Sequence, residues 1–358
     1  MKRIKLFEMF AGYGGASFAL KRADLPFECV GFSEIDYHAI NAYTQNHTHT
    51  YFNRTVTGGW TFPHNYGDCR DLDPEKLPDF DLLTGGFPCQ PFSIAGQNKG
   101  KDDERGLLFD DIIRIAKVKQ PRYMLLENVK GLTYKKHKDF FNYILHKLKS
   151  IGYHVHYKVF NSKDYGIPQN RERIWFFCFR EELDYDDFYY PEEQKLLVEL
   201  KDIIEPNPDS VYDLSKEQIE RIKEKLILKK ICKPCMLHNI YGGFKEKGIR
   251  VFQDYSPTLR TPAGGGHLPV IMNTITEAFG RGGSSKEFLR MLIKINKYTY
   301  KLRKITPTEC FRLMGFINDE IKLKGLSDTQ KFKLAGNGWD INLASILLTN
   351  LLRGFYEK

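Results

Sequence analysis

The first half of the chain alternates two periodicities of apolar and polar positions. Ile4 to Phe10 is an apolar run that ends in the turn Ala11-Gly12-Tyr13-Gly14-Gly15, and the spacing from Ala16 to Ala23 predicts a helix. The unit then recurs. Apolar Cys29 to Phe32 precedes a helical pattern over Asp36 to Asn46, and a third strand is expected within Asn65 to Arg70. Phe80 to Thr84, Tyr123 to Leu126 and Ile174 to Phe179 read as buried strands, with helical spacing over Leu107 to Lys119 and Phe140 to Ser150. Such alternation predicts an α/β fold built on a doubly wound, mostly parallel sheet.

The texture changes after Arg180. Asp184 to Asp213 is acidic, aromatic and proline-bearing, and Leu214 to Lys230 has the spacing of an amphipathic helix rich in Lys and Glu, expected to be solvated. From Asn239 to Pro269, glycine clusters alternate with short β-like pieces such as Ile249-Arg250-Val251-Phe252. A second, smaller, irregular β-rich domain is therefore expected over 186–302. Residues 1–185 form the main domain, completed by 303–358, where Phe332 to Leu352 returns to helical spacing and is expected to pack back onto it.

Composition narrows this picture only slightly. The 358 residues include 54 Lys and Arg against 45 Asp and Glu, a net charge of +9 that suits a polyanionic partner without requiring one. No run of about 18 apolar residues predicts a membrane span, and Met1-Lys2-Arg3-Ile4-Lys5 leads into a strand without a signal-peptide core. Seven scattered cysteines argue for reduced thiols in a cytoplasm. Cys232-Lys233-Pro234-Cys235 with His238 has metal-like spacing, but no second ligand pair succeeds it; loop cysteines and no metal are expected. His47 and His49 read as surface residues.

Candidate chemistry gathers at the ends of the expected strands, since open parallel sheets bind ligands beyond their carboxyl ends. After the first stand Gly12, Gly14 and Gly15; after the second Glu34 and Asp36; after the third Gly67-Asp68; after the fifth Glu127-Asn128-Val129. After the fourth comes GGFPCQPFS, where Pro88 and Pro91 hold Cys89 on a rigid loop. Each feature alone has an ordinary reading as turn, cap or surface acid; together on one edge they favour a site. The glycine loop fits a dinucleotide fingerprint at Gly12 and Gly14, but its sixth place is Ser17. It suits a nucleoside without a pyrophosphate, such as S-adenosylmethionine, with Glu34 placed for ribose hydroxyls and Asp68 for the adenine amino group.

These residues carry a resemblance. The chain resembles the cytosine-C5 DNA methyltransferase family of bacterial restriction-modification systems, with the family's landmarks in order: FAGYGG from Phe10, GFPCQPFS from Gly86, ENV from Glu127, QNRER from Gln169, TPTECFRLMGF from Thr306 and AGNG from Ala335. It runs from residue 4 to about 348 and breaks only in the middle region. One departure is Gly338-Trp339, where the family usually has Ser and a small aliphatic residue. Trp339 is open to two readings, stacking on the adenosine or filling the core.

The resemblance implies a Rossmann-like S-adenosylmethionine-dependent fold with a target-recognition domain, and a cytoplasmic, monomeric enzyme acting on double-stranded DNA. It also implies a cognate endonuclease that shares the site without binding the enzyme. Carbon 5 of cytosine is a poor nucleophile, so a thiolate first adds to carbon 6, and Cys89 suits that task. Glu127 would hold the N3 edge of a flipped-out base, Arg173 its O2, and Arg171 would support the site. Phe10, Gly12, Gly15, Glu34, Ile35, Asp68, Cys69, Pro88, Leu108 and Asn337 carry over as contacts of S-adenosylmethionine, with S-adenosylhomocysteine as product and no metal. DNA contacts are expected at Gln90, Ser93, Lys247, Arg250, Thr258 and Arg260. Three rivals remain: a transfer-RNA methylating branch of the family, a dinucleotide oxidoreductase, and a catalytically silent DNA-binding regulator.

Overall fold

A computed structural model describes residues 2–47, 63–88, 107–183, 188–226, 235–238, 249–261, 268–274, 292–295, 298–317 and 321–357. Six strands form the main sheet: β1 (Ile4–Met9), β2 (Phe27–Ser33), β3 (Leu82–Gly86), β4 (Tyr123–Val129), β5 (Tyr153–Asn161) and β6 (Glu172–Arg180), in the order β2-β1-β3-β4-β6-β5. The pairs from β2 to β4 are parallel, whereas β6 runs antiparallel to both β4 and β5. Strands covered on both faces read as continuous apolar runs, which is why β1, β3 and β4 stand out in the sequence. The expected third strand is not one. Asn65 makes a single parallel bridge to Phe32, Gly67 turns away at φ 75°, and Asp68 caps a short 3-10 turn over Cys69–Asp71.

Helices cover both faces. Helices α3 (Leu107–Lys119) and α4 (Lys138–Ser150) bury Phe109, Ile112, Ile144 and Leu148 against Leu83, Met124 and Phe176. On the other face, α1 (Gly15–Arg22) packs with the terminal helix, placing Ala19 and Leu20 beside Leu343, Leu347 and Leu351. The expected helix over Phe332 to Leu352 is in fact two. The first ends at Asn337, and the Asp340 carboxylate then accepts from the backbone N–H groups of Asn342 and Leu343 to start another.

The second sheet is antiparallel, with strands β7 (Cys235–His238), β8 (Arg250–Phe252), β9 (Val270–Thr274), β10 (Leu292–Ile295) and β11 (Tyr298–Lys304) in the order β10-β11-β9-β7-β8. Two short helices, α5 (Leu200–Ile203) and α6 (Lys216–Leu226), precede it. The helix expected to be solvated is α6, and one of its faces is buried: Ile219, Ile222 and Leu226 close over Leu237, Val270, Met272 and Tyr300. Its apolar stripe is narrow and flanked by charges, so its overall polarity hid the packing. Cys235 belongs to β7 and is fully buried rather than in a loop; Cys232 lies outside the described residues.

The opposite face of this sheet joins the main body through Met236, Phe252 and Ile271, which pack with Phe311, Leu313 and Met314 around α7 (Pro307–Arg312). The TPTE stretch is a helix start. Thr306 accepts from the Glu309 N–H, the Glu309 carboxylate accepts from the Thr306 N–H at 2.8 Å, and Pro307 needs no partner for its nitrogen. The same buried carboxylate takes both guanidinium arms of Arg303, at 2.5 and 2.9 Å. The helices that end the described chain are α8 (Asp328–Asn337) and α9 (Ile341–Tyr356). Among the described residues no helix is long and apolar enough to cross a membrane.

Candidate active site

The glycine loop after β1 is shaped by close contacts. Phe10, Gly12 and Gly14 have φ of 52°, 58° and 86°, a region that glycine enters freely. An added Cβ on Gly14 would stand 2.2 Å from His47 Nε2, whereas one on Gly12 would meet nothing within 4 Å. Gly12 therefore leaves its backbone open to the cavity, and Gly14 admits His47. The sequence places that histidine at the surface, and the structure corrects this. It is buried, its ring nitrogen lies 2.9 Å from the Tyr13 carbonyl oxygen, and burial pulls its pKa down to about 4. His49 lies outside the described residues.

Two cavities open beyond the carboxyl ends of β1 to β4, of about 330 and 300 Å3, and both are lined by Phe10, Glu34 and Pro88. The second is walled by Ile35, Gly67, Asp68, Cys69, Arg70 and Leu108. The first is lined by Gly12, Gly15, Glu127, Arg171, Arg173, Asn337 and Trp339. All ten expected cofactor contacts thus fall on two adjoining cavities. So do the three described residues of the expected catalytic set. Cys89, Gln90, Ser93 and Lys247 lie outside the described residues.

The acids of the second cavity are engaged to different degrees. Glu34 accepts the N–H groups of Gly12, Ile35 and Asp36 at 2.9, 2.8 and 2.9 Å, which fixes the loop and leaves one acceptor position on Oε2. Asp68 receives the Arg70 backbone N–H at 3.0 Å and its guanidinium at 2.5 to 3.0 Å, so its carboxyl is held below the usual range by Arg70. Three N–H groups of Arg70 thus converge on Asp68, the Nε–H shared between both oxygens, so Arg70 competes with any further donor. Arg70 is half-exposed. Burial pushes the Cys69 thiol up to about 12, which leaves it a neutral wall of the pocket.

In the first cavity, Glu127 stands near the end of β4 and meets Arg173 of β6, whose Nε lies 2.8 Å from Oε1. Burial raises the Glu127 pKa, while Arg173, Arg171 and the nearby Trp339 indole work against that rise. Arg171 is buried and spends its guanidinium on backbone carbonyls: Gly338 at 2.7 Å, Gly336 at 3.2 Å and Leu259 at 3.4 Å. It is a tie between three segments. Asn128, the middle residue of the ENV motif and given no role from the sequence, donates to the Phe87 carbonyl at 3.0 Å and so holds the segment leading to Pro88.

Loop 256–260 is sewn to the QNRER segment. Thr258 Oγ1 donates to the Asn170 carbonyl at 2.5 Å, the Leu259 N–H to Gln169 Oε1 at 3.2 Å, and Ser256 pairs with Gln169 as a parallel bridge. Thr258 therefore braces backbone against backbone. Burial lowers the Arg173 pKa, and the charge of the exposed Arg260 adds to that fall. Arg250 opens β8 on an exposed position, its guanidinium 5.2 Å from the Phe252 ring centre. Among the described residues no cluster of His, Cys, Asp and Glu is placed to hold a metal.

Residues 4–353 match the family model of the C-5 cytosine-specific DNA methylases. The chain is similar to a type II methyltransferase of Neisseria lactamica (35% identity, 93% of this chain and 91% of that one). It is also similar to an orphan methyltransferase of Bacillus phage SPR (25% identity, 100% of this chain and 99% of that one). A crystal structure of a Spodoptera frugiperda DNMT2 mutant shares the fold, with a TM-score of 0.68 at 21% identity over 98% of this chain and 99% of that one. With this match over nearly the whole chain, the chain belongs to the C-5 cytosine-specific DNA methylase family and is a DNA (cytosine-5-)-methyltransferase.

Proposed function

We propose that the enzyme methylates a flipped-out cytosine within a specific double-stranded DNA site, using S-adenosylmethionine held across the two cavities and Cys89 as the nucleophile. The single observation that carries this is the two adjoining cavities. One has an apolar wall at Ile35 and Leu108 with acids Glu34 and Asp68, suited to an adenosine. The other presents a carboxyl with guanidinium groups beside it, suited to a pyrimidine edge. S-adenosylmethionine, when bound, supplies the methyl group from its sulfonium. The residues present fit it: Gly12 leaves backbone free for close approach, and Glu34 keeps one acceptor position for a ribose hydroxyl.

The chain's own residues do the rest. Glu127, buried and inclined to hold a proton, addresses the N3 edge and stabilises charge as the Cys89 thiolate adds to carbon 6. That addition turns carbon 5 into a nucleophile able to take the methyl group; loss of the carbon-5 proton after methylation then expels the thiolate and restores the ring. Arg173 orients Glu127 and offers its remaining N–H groups to the base carbonyl, and Arg171 holds the 336–338 turn against the pocket. Residues 186–302 act as the target-recognition domain, with Arg250 and Arg260 as base or phosphate contacts.

The natural setting is host protection in a restriction-modification system, a reading that rests on the type II relatives; the orphan relative names the alternative setting, without an endonuclease. The test is to incubate the protein with tritiated S-adenosylmethionine and separate DNA and transfer-RNA pools. Label in DNA, at cytosine carbon 5 and at one sequence, supports the proposal. Label in transfer RNA alone, or none, overturns it.

A further inference from the structure

We infer that Trp339 is a positioning residue for Glu127, its indole N–H set beside one carboxylate oxygen while the Arg173 guanidinium holds the other; the inference rests on the role proposed for Glu127. Several contacts converge on it. Glu127 Oε1 is taken by Arg173 Nε at 2.8 Å, which leaves Oε2 for another donor. Oε2 and Trp339 Nε1 close over the same face of Gly86, where an added Cβ would stand 3.1 Å from the one and 2.9 Å from the other. The indole itself is fixed, edge-on to Trp175 with ring centres 4.7 Å apart and set against Gly15, where an added Cβ would lie 3.1 Å from Trp339 Cβ.

The backbone that carries the ring is fixed as well. The Tyr13 hydroxyl donates to the Trp339 carbonyl at 2.5 Å, and Gly338 leaves no space for a Cβ, which would meet the Tyr13 ring at 2.1 Å. Gly338 and Trp339 therefore work as a pair: the glycine admits Tyr13, and Tyr13 fixes the residue whose indole reaches the acid. Because Tyr13 belongs to the glycine loop, the cofactor-side loop and the catalytic carboxyl are joined through one side chain.

The groups that face Glu127 set the expected readout. Among the described residues these are Arg173, Arg171 and Trp339, with Arg260 beyond Arg173, and Tyr13 and Asp340 beyond Arg171. The two guanidinium groups persist in Trp339→Phe, which keeps an aromatic ring and removes the donor. An N–H donating to a carboxylate favours its ionised form, so its loss should raise the Glu127 pKa further.

The experiment is single-turnover methyl transfer against pH for the wild type, Trp339→Phe, Glu127→Gln and the double variant. The limb of the profile that disappears in Glu127→Gln is expected to move to higher pH in Trp339→Phe, and Trp339→Phe to add less than a twofold loss to Glu127→Gln. Gly86→Ala puts a methyl group 2.9 Å from Nε1 and 3.1 Å from Oε2, so one of the two must shift; it should move the same limb and covers the case in which Trp339→Phe does not fold. A limb that stays put in folded variants, or losses that multiply in the double variant, overturns the inference alone. A Glu127→Gln enzyme with the wild-type rate and profile overturns the role of Glu127 and this inference with it.

Discussion

Gly338→Ala isolates one steric contact between the glycine loop and the turn that carries Trp339. The backbone at Gly338 lies at φ −74° and ψ 172°, which alanine adopts without strain, so any cost is steric. The new methyl group would sit 2.1 to 2.5 Å from three atoms of the Tyr13 ring and its hydroxyl, against an ordinary contact distance near 3.4 Å or more. The ring has nowhere to go. It is 1% exposed and enclosed by Phe18, Phe311 and Phe316, with ring centres 6.2, 5.8 and 5.6 Å away. Overpacking of a closed site costs roughly 1–3 kcal/mol, and this enclosure argues for the upper end, about 3 kcal/mol. Thermal unfolding should show Tm lowered by roughly 5 °C or more. In a Tyr13→Ala background the methyl group enters vacated space, so the two changes should couple by about 2 kcal/mol in urea unfolding. An unchanged Tm, or an equal cost in both backgrounds, refutes the steric explanation.

Glu8 lies buried beneath the same loop, accepting from the Ser17 and Tyr43 hydroxyls, and burial pushes its pKa from 4.5 to about 7. The folded state then keeps a proton that the unfolded chain releases, so stability falls as pH rises from about 4.5 to about 7, by on the order of 1 kcal/mol per pH unit. His47, pulled down to about 4, contributes the opposite slope below pH 6.5. Glu8→Gln should therefore gain stability relative to the wild type as pH rises through that window; parallel urea-denaturation curves at every pH would contradict it. Asp68→Ala should weaken S-adenosylmethionine binding in calorimetry, whereas Arg70→Ala, which removes the guanidinium from Asp68 and keeps the backbone N–H, should leave it equal or tighter. Unchanged affinity in Asp68→Ala moves the adenine elsewhere. Arg250→Ala should cost about 1–3 kcal/mol of DNA binding and relax preference at one base position; an even loss across sequences with a flatter salt dependence makes Arg250 a phosphate contact.

How far the sequence was legible depended on range. Runs buried on both sheet faces, such as Leu82–Gly86 and Tyr123–Val129, showed their apolar character directly, and the strand-end rule then collected Gly12, Glu34, Asp68 and Glu127 on one edge. Strand β5 escaped because His154, His156 and Lys158 alternate with Val155, Tyr157 and Val159 on a half-exposed edge. The buried state of His47 was hidden because it depends on Gly14, distant in sequence and brought close only by the fold. Arg171 is the same case, since its three carbonyl partners lie 88 to 167 residues away. Helix α6 looked solvated because its burial depends on a sheet assembled from later segments. Local pattern revealed the elements and their edge; contacts across long separations had to come from the structure.

The central claim is that Cys89 attacks the cytosine ring, and its most direct test is covalent trapping on DNA carrying 5-fluorocytosine at the target position. Fluorine cannot leave as the proton does, so the thioether should persist. The expected product is an adduct that survives denaturing gel electrophoresis, forms only with S-adenosylmethionine present, and maps to Cys89 by peptide mass. A Cys89→Ser protein that traps the same DNA, or a wild-type adduct on another residue, would contradict it.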